Sequence, residues 1–176
     1  MKILDLGCGK LKVEGSIGVD FSDIHNPDIV HNLNEFPYPF KNNEFDEVHI
    51  MNTLCLLDNP VLVMEEIYRI SKKDSKIIIN QPYFRSVWNY VDPWIKNFGT
   101  AHSFAFYDPD DLICIRYEYT HARFQTERIE FDEYKKKPGV ISKLIIKLAN
   151  RFPRKYELYL SHFFPLNNIR YILRRL

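Results

Sequence analysis

An α/β fold built on a mostly parallel sheet is predicted by three features of the first half of the chain. A short apolar strand, Lys2 to Leu6, runs into the tight turn Gly7-Cys8-Gly9. A second short apolar run, Ser16 to Val19, ends on an acid, Asp20. Further on, a strand-like run (Phe45 to Met51), a helical period (Val61 to Ile70) and another apolar run follow one another, as strand-helix-strand units do. Strand, glycine turn and terminal acid are together the parts needed to hold an adenosine. The glycines let backbone lie against a ligand, and a carboxylate can accept hydrogen bonds from both ribose hydroxyls.

The stretch KILDLGCGKLKVEGSIGVDFSD resembles the first motif and second strand of the class I S-adenosylmethionine-dependent methyltransferases, and within them the small type 11 methyltransferase-domain proteins. The form Asp-Leu-Gly-Cys-Gly sets it apart from nicotinamide dehydrogenases, because Lys10, Leu11 and Lys12 follow Gly9 and no third glycine is in place. The resemblance implies a single Rossmann-like domain over residues 1–176 whose last strand is antiparallel, with S-adenosylmethionine as cofactor. It implies cofactor contacts from Asp5, Gly7, Cys8, Gly9, Asp20, Phe21, Asn32, Leu33, Met51 and Asn52. In the family the first acid orders the methionine end and the acid after the second strand holds the ribose. Asn32 stands where an acid commonly touches the adenine, and Leu33 either packs on that ring or belongs to the core.

The 176 residues suffice for one full core. Three widely spaced cysteines, Cys8, Cys55 and Cys114, with no Cys-x-x-Cys, read as a reducing compartment without a disulfide framework. The first strand begins directly after Met1 and no apolar run approaches twenty residues, so the expectation is a cytoplasmic protein with no signal peptide or transmembrane segment. Residues 1–133 hold 13 basic against 22 acidic residues, whereas 134–176 hold 11 basic residues and the single acid Glu157. A chain divided in this way either folds its basic end onto its acidic body or offers it to an anionic partner.

Along the chain, residues 10–15 (KLKVEG) are too few for the helix that normally joins the first two strands, so the first crossover is shortened. Asp28 to His31 read as an edge strand, and Pro37 and Pro39 make residues 32–43 a loop. Asn59-Pro60 starts a helix that turns Met64, Ile67 and Tyr68 to the sheet and Glu65, Glu66 and Arg69 to water. EEIYRISKKDSKIIINQPYF resembles the family's helix, turn and fifth strand, with Lys73, Asp74 and Ser75 as the turn. NQPY is similar to the Asn-Pro-Pro-Tyr of amino methylases but follows the fifth strand rather than the fourth.

Residues 83–107 are aromatic and aperiodic and read as a loop lid over the crevice. Trp88, Tyr90, Trp94, Phe98 and Phe104 either wall a substrate pocket or anchor the loop. HSFAFYDPDDL resembles a His-x-x-Phe-then-helix pattern of the type 11 relatives, which makes His102 the candidate catalytic base, with Tyr83 assisting placement. The alternative for His102 is a structural pin. The other histidines lack partners at ligand spacing, so no metal site is expected.

Asp108 with Pro109 and Asp111 starts a helix to about Tyr117, residues 119–132 alternate as a sixth strand, and NNIRYILRRL suits a seventh, antiparallel one. Residues 134–165 are then an insertion of two helices. The first carries Ile141, Leu144, Ile145, Leu148 and Phe152 at helical spacing, is interspersed with Lys143, Lys147 and Arg151, and is broken by Pro153. The second runs from Tyr156 to Phe164. This pair is a lid, a dimer face, a surface for an anionic or amphiphilic substrate, or simply packed on the sheet. The functions in competition are methyl transfer to an oxygen or nitrogen of a small molecule, methylation or binding of RNA through the basic end, and a non-catalytic cofactor-binding partner protein.

Overall fold

The computed structural model describes residues 1–132 and 139–176. The run Ile-Leu-Asp-Leu forms β1 (Ile3–Leu6), buried almost throughout, as a strand covered on both faces must be. It has parallel neighbours on either side, β2 (Ser16–Asp20) and β4 (Phe45–Met51). The two-residue β3 (Ile29–Val30) borders β2, and β5 (Ser71–Pro82) continues the parallel set beyond β4. β7 (Asn168–Arg175) lies antiparallel between β5 and β6 (Phe124–Asp132). One seven-stranded sheet results, in the order β3-β2-β1-β4-β5-β7-β6, with the antiparallel strand where the sequence places it. In β7, Ile169, Tyr171 and Leu173 are buried as their alternation requires.

The link from β1 to β2 contains no helix. Instead, Asp5 Oδ2 accepts a 2.9 Å hydrogen bond from the Val13 amide and fixes the crossover to the central strand. Gly18 makes room for it: a Cβ there would stand 2.5 Å from Lys12 Cδ and 2.8 Å from Cys8 Sγ. The ammonium of Lys12 then reaches Asp28 at 2.9 Å, and the same carboxylate accepts from Gly18 N at 2.6 Å.

Three expectations are corrected. Glu66 and Arg69 of α1 (Pro60–Ile70) do not simply face water. Glu66 accepts from Tyr38 N at 2.7 Å, and Arg69 donates to the carbonyls of Phe40 (2.8 Å) and Tyr38 (3.0 Å), so the pair clamps the proline loop. Lys73-Asp74-Ser75 is no turn between helix and strand: Asp74, at φ +62°, lies inside β5, where the register against β4 shifts. The second helix of the insertion does not run from Tyr156 to Phe164: Pro153, before which the first helix ends as expected, sits at the first position of α4 (Pro153–Lys155), where its fixed φ suits a helix start. The chain runs on into a π turn, Tyr156–Leu160. That insertion, led by α3 (Val140–Arg151), separates β6 from β7, and its expected first residues, 134–138, lie outside the described residues. α2 (Leu112–Tyr117) begins at Asp111, which caps Ile113 N.

The hydrogen bond from Gly18 and the ion pair with Lys12 hold the Asp28 carboxyl below its ordinary 3.8. A depressed carboxyl contributes stability above its unfolded value and loses it as pH falls through the folded one. Asp28→Asn should therefore melt lower than the unchanged protein at neutral pH, and the gap should close as pH falls below 3.8. Melting curves taken across that range check this; a gap that persists below the folded-state value would refute it.

Candidate functional site

Strand order reverses between β1 and β4, and a crevice opens at the carboxyl ends of the strands there, where parallel sheets take ligands. The glycine turn is tied down by two bonds, from Gly7 N and Cys8 N to the Val19 carbonyl at 2.8 and 3.0 Å. Gly7 takes φ +72°, and a Cβ on it would meet Thr53 Oγ1 at 2.2 Å. Gly9 then presents its amide to Asp20 Oδ2 at 2.9 Å, while Ser22 N donates to Oδ1 at 3.2 Å. Asp20 is thus held by backbone on both oxygens, each keeping a lone pair for a ligand.

A cavity of about 630 Å³ lies against this edge, within the usual range for small-ligand sites. Gly7, Asp20, Phe21, Asn32, Leu33, Met51 and Asn52 line it, as do Thr53 and Trp94. Asp5, Cys8 and Gly9 are not among its walls. Asp5 spends its carboxylate on Val13 N, and burial raises its pKa. Cys8 Sγ is buried against the Lys12 stem, and burial raises its pKa too. Gly9 acts behind the wall, through Asp20. Leu33 both lines the cavity and joins the core. The Asn32 amide is partly committed, accepting from Asn34 N at 3.1 Å and donating to Glu35 at 3.2 Å.

Asn52, at φ +54°, leaves β4 in a left-handed conformation. Its side-chain oxygen accepts from Asn80 Nδ2 at 2.9 Å, and its own amide donates to the Asn80 carbonyl at 2.7 Å. The two ends of β4 and β5 are thereby locked together. Next to the first cavity, and sharing Asn52, Leu56 and Asp92 with it, is a second of about 360 Å³ walled by Cys55, Pro82, Trp88 and Ile95. Burial pushes the Cys55 thiol up to about 12, so this wall is neutral.

His102 and Tyr83 line neither cavity. The His102 ring is turned to Glu157 of the helical insertion, Nδ1 to Oε1 3.4 Å, and Glu157 also accepts from Ala101 N at 2.6 Å. Its geometry is that of the structural pin. Tyr83 is fully buried, its ring edge-on to Phe131 at 5.1 Å and near Tyr156 at 6.2 Å, and burial pushes its hydroxyl pKa upward. The aromatic segment contributes to both cavities and core. Trp88 and Trp94 wall cavities, whereas Phe104 packs on Tyr171. Asp92 and Thr53 went unread in the sequence; the only signal was Asp-Pro within an aperiodic stretch and a polar residue just past β4.

The adenosine half of S-adenosylmethionine fits what is present: a held carboxylate with open lone pairs, the Gly7 backbone in the wall, and the apolar faces of Phe21 and Leu33. The profile of a methyltransferase domain family matches residues 4–79. Over 99% of its length the chain superposes on 86% of a SAM dependent methyltransferase from Archaeoglobus fulgidus, with 23% identity and a TM-score of 0.62. A similar match joins 98% of it to 81% of a chain in the complex between the Haloferax volcanii Trm112 methyltransferase activator and the putative methyltransferase, at 14% identity and TM-score 0.59. A third covers 99% of it and 90% of an S-adenosylmethionine dependent methyltransferase from Mesorhizobium loti, at 11% identity and TM-score 0.59. No curated protein sequence matches. The chain has the class I S-adenosylmethionine-dependent methyltransferase fold. Through residues 4–79 it is related to the methyltransferase domain family.

Gly7 and Gly15 share φ +72°, yet only Gly7 faces an obstacle, since nothing lies within 4 Å of a Cβ at Gly15. Gly15→Ala should cost about 1–2 kcal/mol for the left-handed backbone alone. Gly7→Ala should exceed it by at least about 1 kcal/mol, because Thr53 must move. Urea unfolding of both variants measures the difference, and equal losses would show that the turn does not press on Thr53.

Proposed function

We propose that the chain transfers a methyl group from S-adenosylmethionine, held in the larger cavity, to an oxygen or nitrogen of a small molecule held in the adjoining one. The observation that carries this reading is Asp20: a carboxylate at the end of β2, gripped by the Gly9 amide and facing the cavity. When bound, the cofactor supplies a methyl already activated on a sulfonium, so the protein's tasks are placement, exclusion of water and removal of a proton. Asp20 accepts from the ribose hydroxyls while Phe21 and Leu33 flank the base. Trp88, Ile95 and Pro82 cover the acceptor, and Asn52 and Asp92, common to both cavities, reach the atom that receives the methyl. Asp92 is the carboxylate placed to orient or take the proton of an N–H or O–H acceptor.

Calorimetry with the unmodified protein should show cofactor binding, and Asp20→Ala should weaken it by about 1.5–3 kcal/mol through loss of charge-assisted hydrogen bonds. A second reading, an enzyme completed by a partner, is favoured by Phe21, which lines the cavity yet remains 79% exposed. The Haloferax volcanii neighbour, crystallised with an activator, is in keeping with it. Undetectable binding by the folded chain alone at millimolar cofactor would replace the first reading with this one.

The catalytic assignment has its own test once a screen of cell metabolites yields an acceptor. Asp92→Asn should keep cofactor affinity and lower turnover by roughly 10²-fold. His102→Gln should instead lower the melting temperature while turnover changes little. The reverse pattern would return the role of base to His102.

A further inference from the structure

The described part of the helical insertion does not bury the whole of its apolar surface. At 100° per residue, Ile145 and Ala149 of α3 point into the core, and Ile141, Leu144 and Leu148 fall on the next flank. That flank is bare: Ile141 is 70% and Leu144 57% exposed. Single exposed leucines need no explanation, but a continuous stripe does. This one extends beyond the helix, since Ile141 borders a cleft shared with Phe163 and Phe164, both exposed.

A row of cations borders the stripe. Lys143, Lys147 and Arg151 recur every four residues along α3, and among the described residues none of them pairs with a carboxylate. Arg151 and Lys155 reach over the ring of Phe152 at 5.5 and 5.6 Å, placing charge and apolar surface side by side. Glu157, the single acid of 139–176, is turned away and spent on Ala101 N and His102. The face of α3 itself is therefore both greasy and cationic, and the carboxylates of Asp108 and Glu127 lie in the cleft beyond its Arg151 end.

We propose that this face seats the protein on an anionic lipid bilayer, with Ile141, Leu144 and Leu148 in the acyl boundary and Lys143, Lys147 and Arg151 among the headgroup phosphates. Basic and apolar flanks side by side on one helix are what such an interface takes. Among the described residues no helix is long and apolar enough to cross a membrane, so the attachment is peripheral. RNA matches the cations but gives aliphatic side chains nothing to stack on. A two-fold contact with a second copy would set the cationic row against itself. Neither cavity is walled by these residues, so the surface stands independently of the methyl-transfer reading.

Vesicle sedimentation of the full chain decides it. Vesicles mixing phosphatidylglycerol with phosphatidylcholine should bind the protein, pure phosphatidylcholine should bind it weakly, and added salt should release it. Leu144→Ser/Leu148→Ser should reduce binding by about tenfold or more, as should Lys143→Gln/Lys147→Gln/Arg151→Gln. Melting curves and cofactor affinity should stay unchanged, because these side chains lie outside the core. If the leucine pair lowers the melting temperature, Leu144→Ser alone carries the test. Three results overturn the proposal: no binding to the mixed vesicles at low salt, binding that is indifferent to both sets of substitutions, or RNA binding or a concentration-dependent dimer with vesicles left unbound.

Discussion

The ligand edge of this sheet depends on one buried carboxylate. Asp5 sits in the central strand with 2% of its surface exposed, a costly place for a charge, and its pKa is raised by that burial. The hydrogen bond it accepts from Val13 N lets residues 7–15 cross from β1 to β2 without a helix. With the crossover held low against Gly18, the glycine turn is bound from the other side by Val19, and the Gly9 amide is left to grip Asp20. Asp5 is thereby part of the scaffold that aims Asp20.

A similar economy of ties governs the segment between β5 and α2. Lys96 N and Asn97 N both donate to the Cys55 carbonyl, at 2.8 and 3.0 Å, which fastens the segment to the turn after β4. Ala101 N and His102 fasten its far end to Glu157, and Arg85 donates to Ser161 Oγ at 2.9 Å. The walls of the smaller cavity are thus hung between the parallel half of the sheet and the helical insertion.

Much of this was legible in the residues. The glycine turn, the acid at the end of β2 and the alternation of β7 each answer to a local requirement: a positive φ, a polar group at a strand end, a period of two. The missing first helix was legible too, by simple count. What escaped the sequence depends on relations between distant segments. Nothing local reveals that His102 meets Glu157, 55 residues on. An aperiodic stretch gives no rule for choosing Asp92 over its neighbours. The apolar arc of α3 is wide, and its period alone does not say which half turns inward. Asp74 reads as a turn residue, correctly for its φ of +62°, but pairing with β4 carries the strand through it as a bulge.

The position of β7 has a consequence for how the chain is made. It follows both of its neighbours in the chain, yet β5 and β6 meet only through it. As the polypeptide emerges from the ribosome, the five parallel strands can assemble while the outer edge of β5 and the whole of β6 wait with open backbone groups. Such an edge is a template for pairing with other chains. The interval between the emergence of β6 and that of β7, lengthened by the helical insertion, is when the nascent protein is most exposed to its neighbours.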